Sequence, residues 1–104
     1  MRLLVLFNLK AGVAPEDYEH WARTRDMPTV RSLASIDDFR AYRVTGLLGS
    51  EAPAPYAYAE VIDVADMDGF FTDIAAPTMQ EVSAEFQNWA DAPLFLMTAE
   101  VPSA

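Results

Sequence analysis

The chain has 104 residues, a length that supports one domain (1–104) and one core. Seven basic and sixteen acidic side chains leave a net charge of −9, while 52% of the residues are apolar, which is too many for a disordered chain. With no cysteine and one histidine the chain has no thiol chemistry and no histidine cluster for a metal; its acidity argues against nucleic acid, and no apolar run nears the roughly 20 residues of a membrane helix.

Leu3 to Leu9 reads as a buried strand, and Lys10 to Ala14 as a loop. The chain opens on Met-Arg and a short apolar run without a small-residue cleavage site, so no signal peptide and a cytoplasmic location are expected. Pro15 suits the first turn of a helix, with Glu16 and Asp17 at its positive end. Tyr18, Trp21, Ala22 and Arg25 recur at helical spacing. Pro28 predicts a kink or break at Met27, with a short turn over Thr29 to Leu33 beyond it.

Asp37 to Thr45 alternates and predicts a second strand. Gly46 to Pro55 is a loop, and Tyr56 to Val64 a third strand. Asp66 is placed to cap a helix over Met67 to Ala75, which Pro77 interrupts. Thr78 and Glu81 have the spacing of a capping box for a last helix carrying Met79, Val82, Phe86, Trp89 and Ala90. Leu94 to Val101 is the last strand. The order β-α-β-β-α-β predicts an α+β, ferredoxin-like fold: a four-stranded antiparallel sheet with the helices on one face.

Side chains alternate across a strand, so the bare face of the sheet can be composed from the sequence. Ala57, Ala59 and Val61 are small, as helix packing favours, which assigns Tyr58, Glu60 and Ile62 to the open face with Leu4, Leu6, Asn8, Leu94 and Leu96. Arg43 and Thr98 join its polar end. An apolar patch of that size marks an interface, and two such sheets pressed together would enclose a pocket between them.

Several segments carry a resemblance: Met1 to Leu9, Trp21-Ala-Arg-Thr-Arg-Asp-Met-Pro-Thr-Val, Phe39-Arg-Ala-Tyr-Arg-Val-Thr-Gly-Leu-Leu, Tyr58-Ala-Glu-Val-Ile-Asp-Val, and the later Pro-Thr-Met-Gln with Glu-Phe-Gln. Together they span nearly the whole chain and resemble the RedY-like, HapK-type family, which is similar to the dimeric α+β barrel proteins. These include EthD-like proteins, antibiotic-biosynthesis-type monooxygenases and muconolactone isomerases. The resemblance implies a homodimer, formed through the open sheet face, with a pocket for a flat aromatic or carbonyl-bearing molecule. It also implies a place in the secondary metabolism of pyrrole- or indole-derived pigments. EthD-like proteins place a histidine shortly after the helix tryptophan; here Arg25 and Asp26 follow Trp21, so that role does not carry over.

The candidate catalytic residues are Glu60, Asp26 and Arg43, and the candidate substrate-binding residues are Asn8, Tyr58, Arg25 and His20. Glu60 lies mid-strand among apolar neighbours, where a carboxyl is tuned toward acid–base work; its structural alternative is an ion pair with Arg43. Asp26 is either a proton carrier at the pocket mouth or a helix-end carboxylate bonding local backbone. Arg25 falls on the apolar stripe, with its head free to reach Asp26 or the pocket. His20 points away from Tyr18 and is expected at the surface beside Glu16. Asn8 is set either to bond a substrate carbonyl or to tie down the next loop, and Tyr56 and Tyr58 either to stack on a ring or to fill the strand. Trp21, Phe86 and Trp89 are core, and Asp63, Asp66, Asp68 and Asp73 lack the spacing of a calcium loop.

Three functions follow. The first is cofactor-independent proton transfer (dehydration, cyclisation or isomerisation), with Glu60 or Asp26 moving the proton and Arg43 or Asn8 holding an oxyanion. The second is a cofactor-free monooxygenase of aromatic substrates. The third is a non-catalytic carrier of a reactive aromatic intermediate. A haem or metal site is not expected.

Overall fold

The computed structural model describes residues Met1 to Ser103. The elements are β1 (Arg2–Leu9), α1 (Pro15–Trp21), a π-helical turn (Ala22–Asp26), α2 (Met27–Arg31), β2 (Ile36–Arg43), β3 (Tyr58–Val64), α3 (Met67–Ile74), α4 (Pro77–Trp89) and β4 (Ala90–Met97). The strands form one antiparallel sheet in the order β2-β3-β1-β4. This is the ferredoxin-like fold expected from the element order. The molecule measures 43 × 41 × 20 Å, and its short axis holds one sheet and one layer of helices. Among the described residues no helix is long and apolar enough to cross a membrane.

Register decides which residues lie under the helices. Leu3 faces Ile62 and Met97, Val5 faces Glu60 and Phe95, and Phe7 faces Tyr58. On the far side of β3, Phe39 faces Ile62, Ala41 faces Glu60 and Arg43 faces Tyr58. Directly opposed residues share a face, so all of these lie on the face that buries Val5 and Phe7. The β3 alternation is therefore the reverse of the expected one. Tyr58, Glu60 and Ile62 are under the helices, and Ala59 and Val61 lie on the open face with Leu4, Leu6, Leu94 and Leu96. The reason is volume: Tyr58 and Ile62 fill the space beneath the helices, where alanines would leave voids.

The core is largely aromatic at one end. Phe7 stacks on Tyr58 with ring centroids 5.5 Å apart, and meets Tyr18 and Phe86 edge-on. Trp21 and Trp89 close around Tyr18, as expected of core residues.

Local expectations were met unevenly. Pro28 does not break the first helix. The chain passes from α1 to α2 through the π turn, in which the Met27 amide donates to the Ala22 carbonyl. Pro28 has no amide hydrogen, and a wider turn is one way a helix accommodates that loss. Neither expected side-chain cap forms: α3 and α4 have no side-chain cap hydrogen bond. Pro77 takes the first turn of α4, so the helix starts before Thr78, and Glu81 turns to Arg25 instead. The last strand starts four residues earlier than expected, at Ala90, directly from the end of α4.

Candidate functional site

Asp26 ends the π turn and Glu60 sits at the centre of β3. Both are buried, at 5% and 4% exposure. Both line a cavity of about 350 Å³ between the sheet and the helices. Val30, Phe39, Ile62, Met79, Val82 and Phe86 supply most of its apolar wall. Phe71, Phe95 and Met97 also line it and are well exposed, so they mark its mouth on the β4 side. The cavity thus lies beneath the helices of a single chain, on the opposite side of the sheet from the open face where a pocket was expected.

The inward placement of Asp26 follows from spacing. Tyr18, Ala22, Asp26 and Val30 are all buried and recur every four residues. In an α-helix each such step rotates the stripe by roughly 40°. The wide π turn takes up this drift and keeps Asp26 over the sheet. Burial first, then the charge of Glu85, pushes the Asp26 carboxyl up to about 7. Among the described residues no hydrogen-bond donor offsets this. Burial and the charge of Asp26 push Glu60 up to about 8, against a lowering hydrogen bond from Tyr18. The Tyr18 hydroxyl donates to Glu60 Oε1 at 3.4 Å, and burial with the nearby Glu60 charge holds that phenol well above its usual range. Two carboxyls that keep their protons toward neutral pH, in an apolar chamber, form an arrangement suited to acid–base chemistry.

The other candidates are placed elsewhere. Arg43 does not pair with Glu60 and does not line the cavity. Its guanidinium donates to both oxygens of Glu19, from Nε at 2.8 Å and from Nη2 at 2.5 Å. Tyr58 donates to the same carboxylate at 2.7 Å. These hydrogen bonds, from Arg43 first and then Tyr58, draw Glu19 down to about 2, while burial and the bond to Glu19 raise Tyr58 to about 12. The three residues, with Tyr18, Arg23 and Tyr42, line a separate recess of about 420 Å³.

Arg25 reaches neither Asp26 nor the cavity. It bridges to Glu85 at 3.1 Å and Glu81 at 3.3 Å on α4. Trp21 Nε1 donates to Glu85 at 2.9 Å and reinforces the same junction. His20 is exposed, as expected from its helical phase, and it is not among the cavity's lining residues. Asn8 ties down the long loop: its Nδ2 donates to the Pro55 carbonyl at 3.0 Å, and its Oδ1 accepts from the Ala57 amide at 2.9 Å. Of seven site candidates, the structure brings Asp26 and Glu60 together.

Sequence reasoning missed Tyr18 as the donor to Glu60, Glu85 as the charge beside Asp26, and Glu19 as the partner of Arg43. The four-residue spacing from Tyr18 to Val30 was a usable signal for the first. The other two depend on which helix faces which strand.

The REDY-like protein HapK family model matches residues 1–101. Among solved structures, HapK from Hahella chejuensis is 25% identical, with TM-score 0.72, covering 100% of this chain and 98% of that one. A dimeric ferredoxin-like protein from Thermobifida fusca is 20% identical, with TM-score 0.72 and coverage of 91% and 85%. SnoaB of Streptomyces nogalater, a cofactor-independent oxygenase solved as a point mutant, is 13% identical, with TM-score 0.70 and coverage of 96% and 93%. Among curated proteins none matches the sequence. The fold is that of the dimeric α+β barrel proteins, and with the family model spanning all but the last three residues, the chain belongs to the REDY-like HapK family.

Proposed function

We propose that this protein is a small-molecule enzyme of secondary metabolism that moves protons within a flat aromatic or carbonyl substrate, without a bound cofactor. The observation that carries this is the pair Asp26 and Glu60, both buried and both lining one apolar cavity. With the two carboxyls lifted to about 7 and about 8, the pair near neutral pH holds a proton to give and an oxygen to receive one. Arg43 and Asn8 are held outside the cavity, so developing oxyanion charge is met by a protonated carboxyl acting as hydrogen-bond donor. The cavity volume suits a ligand of two or three fused rings.

A direct test uses aryl methyl ketones in D2O and follows exchange at the α-carbon by NMR. The native protein is expected to accelerate exchange, and Glu60→Gln or Asp26→Asn to reduce it by about a hundredfold or more. Unchanged exchange in both folded variants overturns the assignment. Oxygen uptake with a phenolic substrate would favour the monooxygenase alternative, which the likeness to SnoaB supports at the level of the fold. Return of a bound ligand unaltered would favour a carrier. The protein acts as a homodimer through the open sheet face, where Leu94 and Leu96 are 45% and 41% exposed. The dimeric Thermobifida fusca neighbour supports this assembly.

A further inference from the structure

The cavity is one-sided in charge. Among the described residues its only ionisable lining groups are Asp26 and Glu60. Asp26 is 5% exposed and has no side-chain donor among them, and Glu60 receives one long hydrogen bond from Tyr18. The neighbouring elements add nothing basic to face the pair. From α1 comes the Tyr18 phenol, and from α4 the acidic Glu85. Arg25, the closest guanidinium in sequence, is committed to Glu81 and Glu85 on the outside of that helix pair. Arg31 donates to the Phe39 carbonyl, and Arg43 is bound to Glu19.

A carboxylate or phosphate carried into this chamber would lose its hydration and meet two acids with no compensating cation. A protonated nitrogen would meet the Asp26 carboxylate, which no side-chain donor bonds among the described residues. We propose that the cavity selects a flat, apolar molecule carrying a basic nitrogen, held between Asp26 and Glu60, over an isosteric carboxylate. This rests on the cavity being the binding site of the proposed function, and it specifies the substrate's charge. A cation there favours the ionised carboxyl, so binding displaces a proton. Both groups keep their protons toward neutral pH, so affinity for the amine rises from about pH 6 to about pH 8.

The test is calorimetric titration of the full chain with three probes of one shape: 1-naphthylmethylamine, 1-naphthalenemethanol and 1-naphthoate. The amine is expected to bind at least tenfold more tightly than the naphthoate, roughly one pKa unit's worth of preference for the cation. Its binding heat should depend on the buffer, because a proton is released. The double variant Asp26→Asn/Glu60→Gln should erase the preference. If that variant does not fold, the pH series on the native protein decides: the preference must grow with pH through this window. Tighter or equal binding of naphthoate, absence of amine binding, a preference that survives the double substitution, or one insensitive to pH overturns the proposal. Failure of ketone exchange together with an intact amine preference would count against proton transfer alone.

Discussion

At the scale of the residue, the two cavity carboxyls are a cost to the fold that function would explain. Their ordinary values, 3.8 and 4.5, rise on folding to about 7 and about 8. The folded chain therefore binds more protons than the unfolded chain between about pH 4 and pH 8. Across that window stability falls as pH rises, and it levels off above the folded values. Urea unfolding at pH 5 and pH 9 should show the native protein weaker at pH 9. Asp26→Asn/Glu60→Gln should gain at both pH values, and by roughly 2 kcal/mol or more beyond its pH 5 gain at pH 9. A native protein equally stable at both, relative to the variant, would mean that the carboxyls are not buried as described. The chemistry of Glu60 was legible, because a carboxyl amid Ala59, Val61 and Ile62 stands out. Its face was not, because both alternating sets of β3 are largely apolar and only the register with β1 separates them. Arg43 was misplaced for a related reason: its partner Glu19 lies 24 positions away on α1, beyond any local pattern.

At the scale of the element, the strands and helices were legible, while their ends were set by competition between local signals. Proline at the first turn displaced the expected capping box in α4. The long loop between β2 and β3 has few internal ties, and Asn8 holds it by bonding both Pro55 and Ala57. Asn8→Ala removes both bonds at an exposed site and should cost about 1 kcal/mol in chemical unfolding. Limited proteolysis should then cut faster within residues 44 to 57. An unchanged cleavage rate would show that the loop is held by other contacts.

At the scale of the whole molecule, the apolar excess is divided between two places. One part lines the cavity and the aromatic core. The other lies on the uncovered sheet face, where Leu4, Leu6, Ala59, Val61, Leu94 and Leu96 share one surface. That patch was legible in the sequence, with Ile62 wrongly included, because strand alternation identifies its members on β1 and β4 without knowledge of the pairing. The cavity's location was not legible, since it depends on how far the helices stand off the sheet. Leu96→Glu places a charge on the apolar face of the proposed interface and should shift the protein from dimer to an 11.5 kDa monomer in sedimentation equilibrium. A native protein that is already monomeric at micromolar concentration would remove the basis for a closed barrel.

The π turn between α1 and α2 has a consequence for how the chain length is constrained there. With the wide turn present, the inward residues are spaced four, four and four, from Tyr18 through Ala22 and Asp26 to Val30. Removing one residue inside the turn, such as Thr24, leaves spacings of four, three and four, the ordinary rhythm of an uninterrupted α-helix. Both versions aim the same carboxyl at the sheet. The segment is thus a place where the backbone can lose a residue and keep its inward face. A deletion within Pro15–Trp21, where no such slack exists, would turn everything upstream of it away from the sheet by roughly a quarter of a turn.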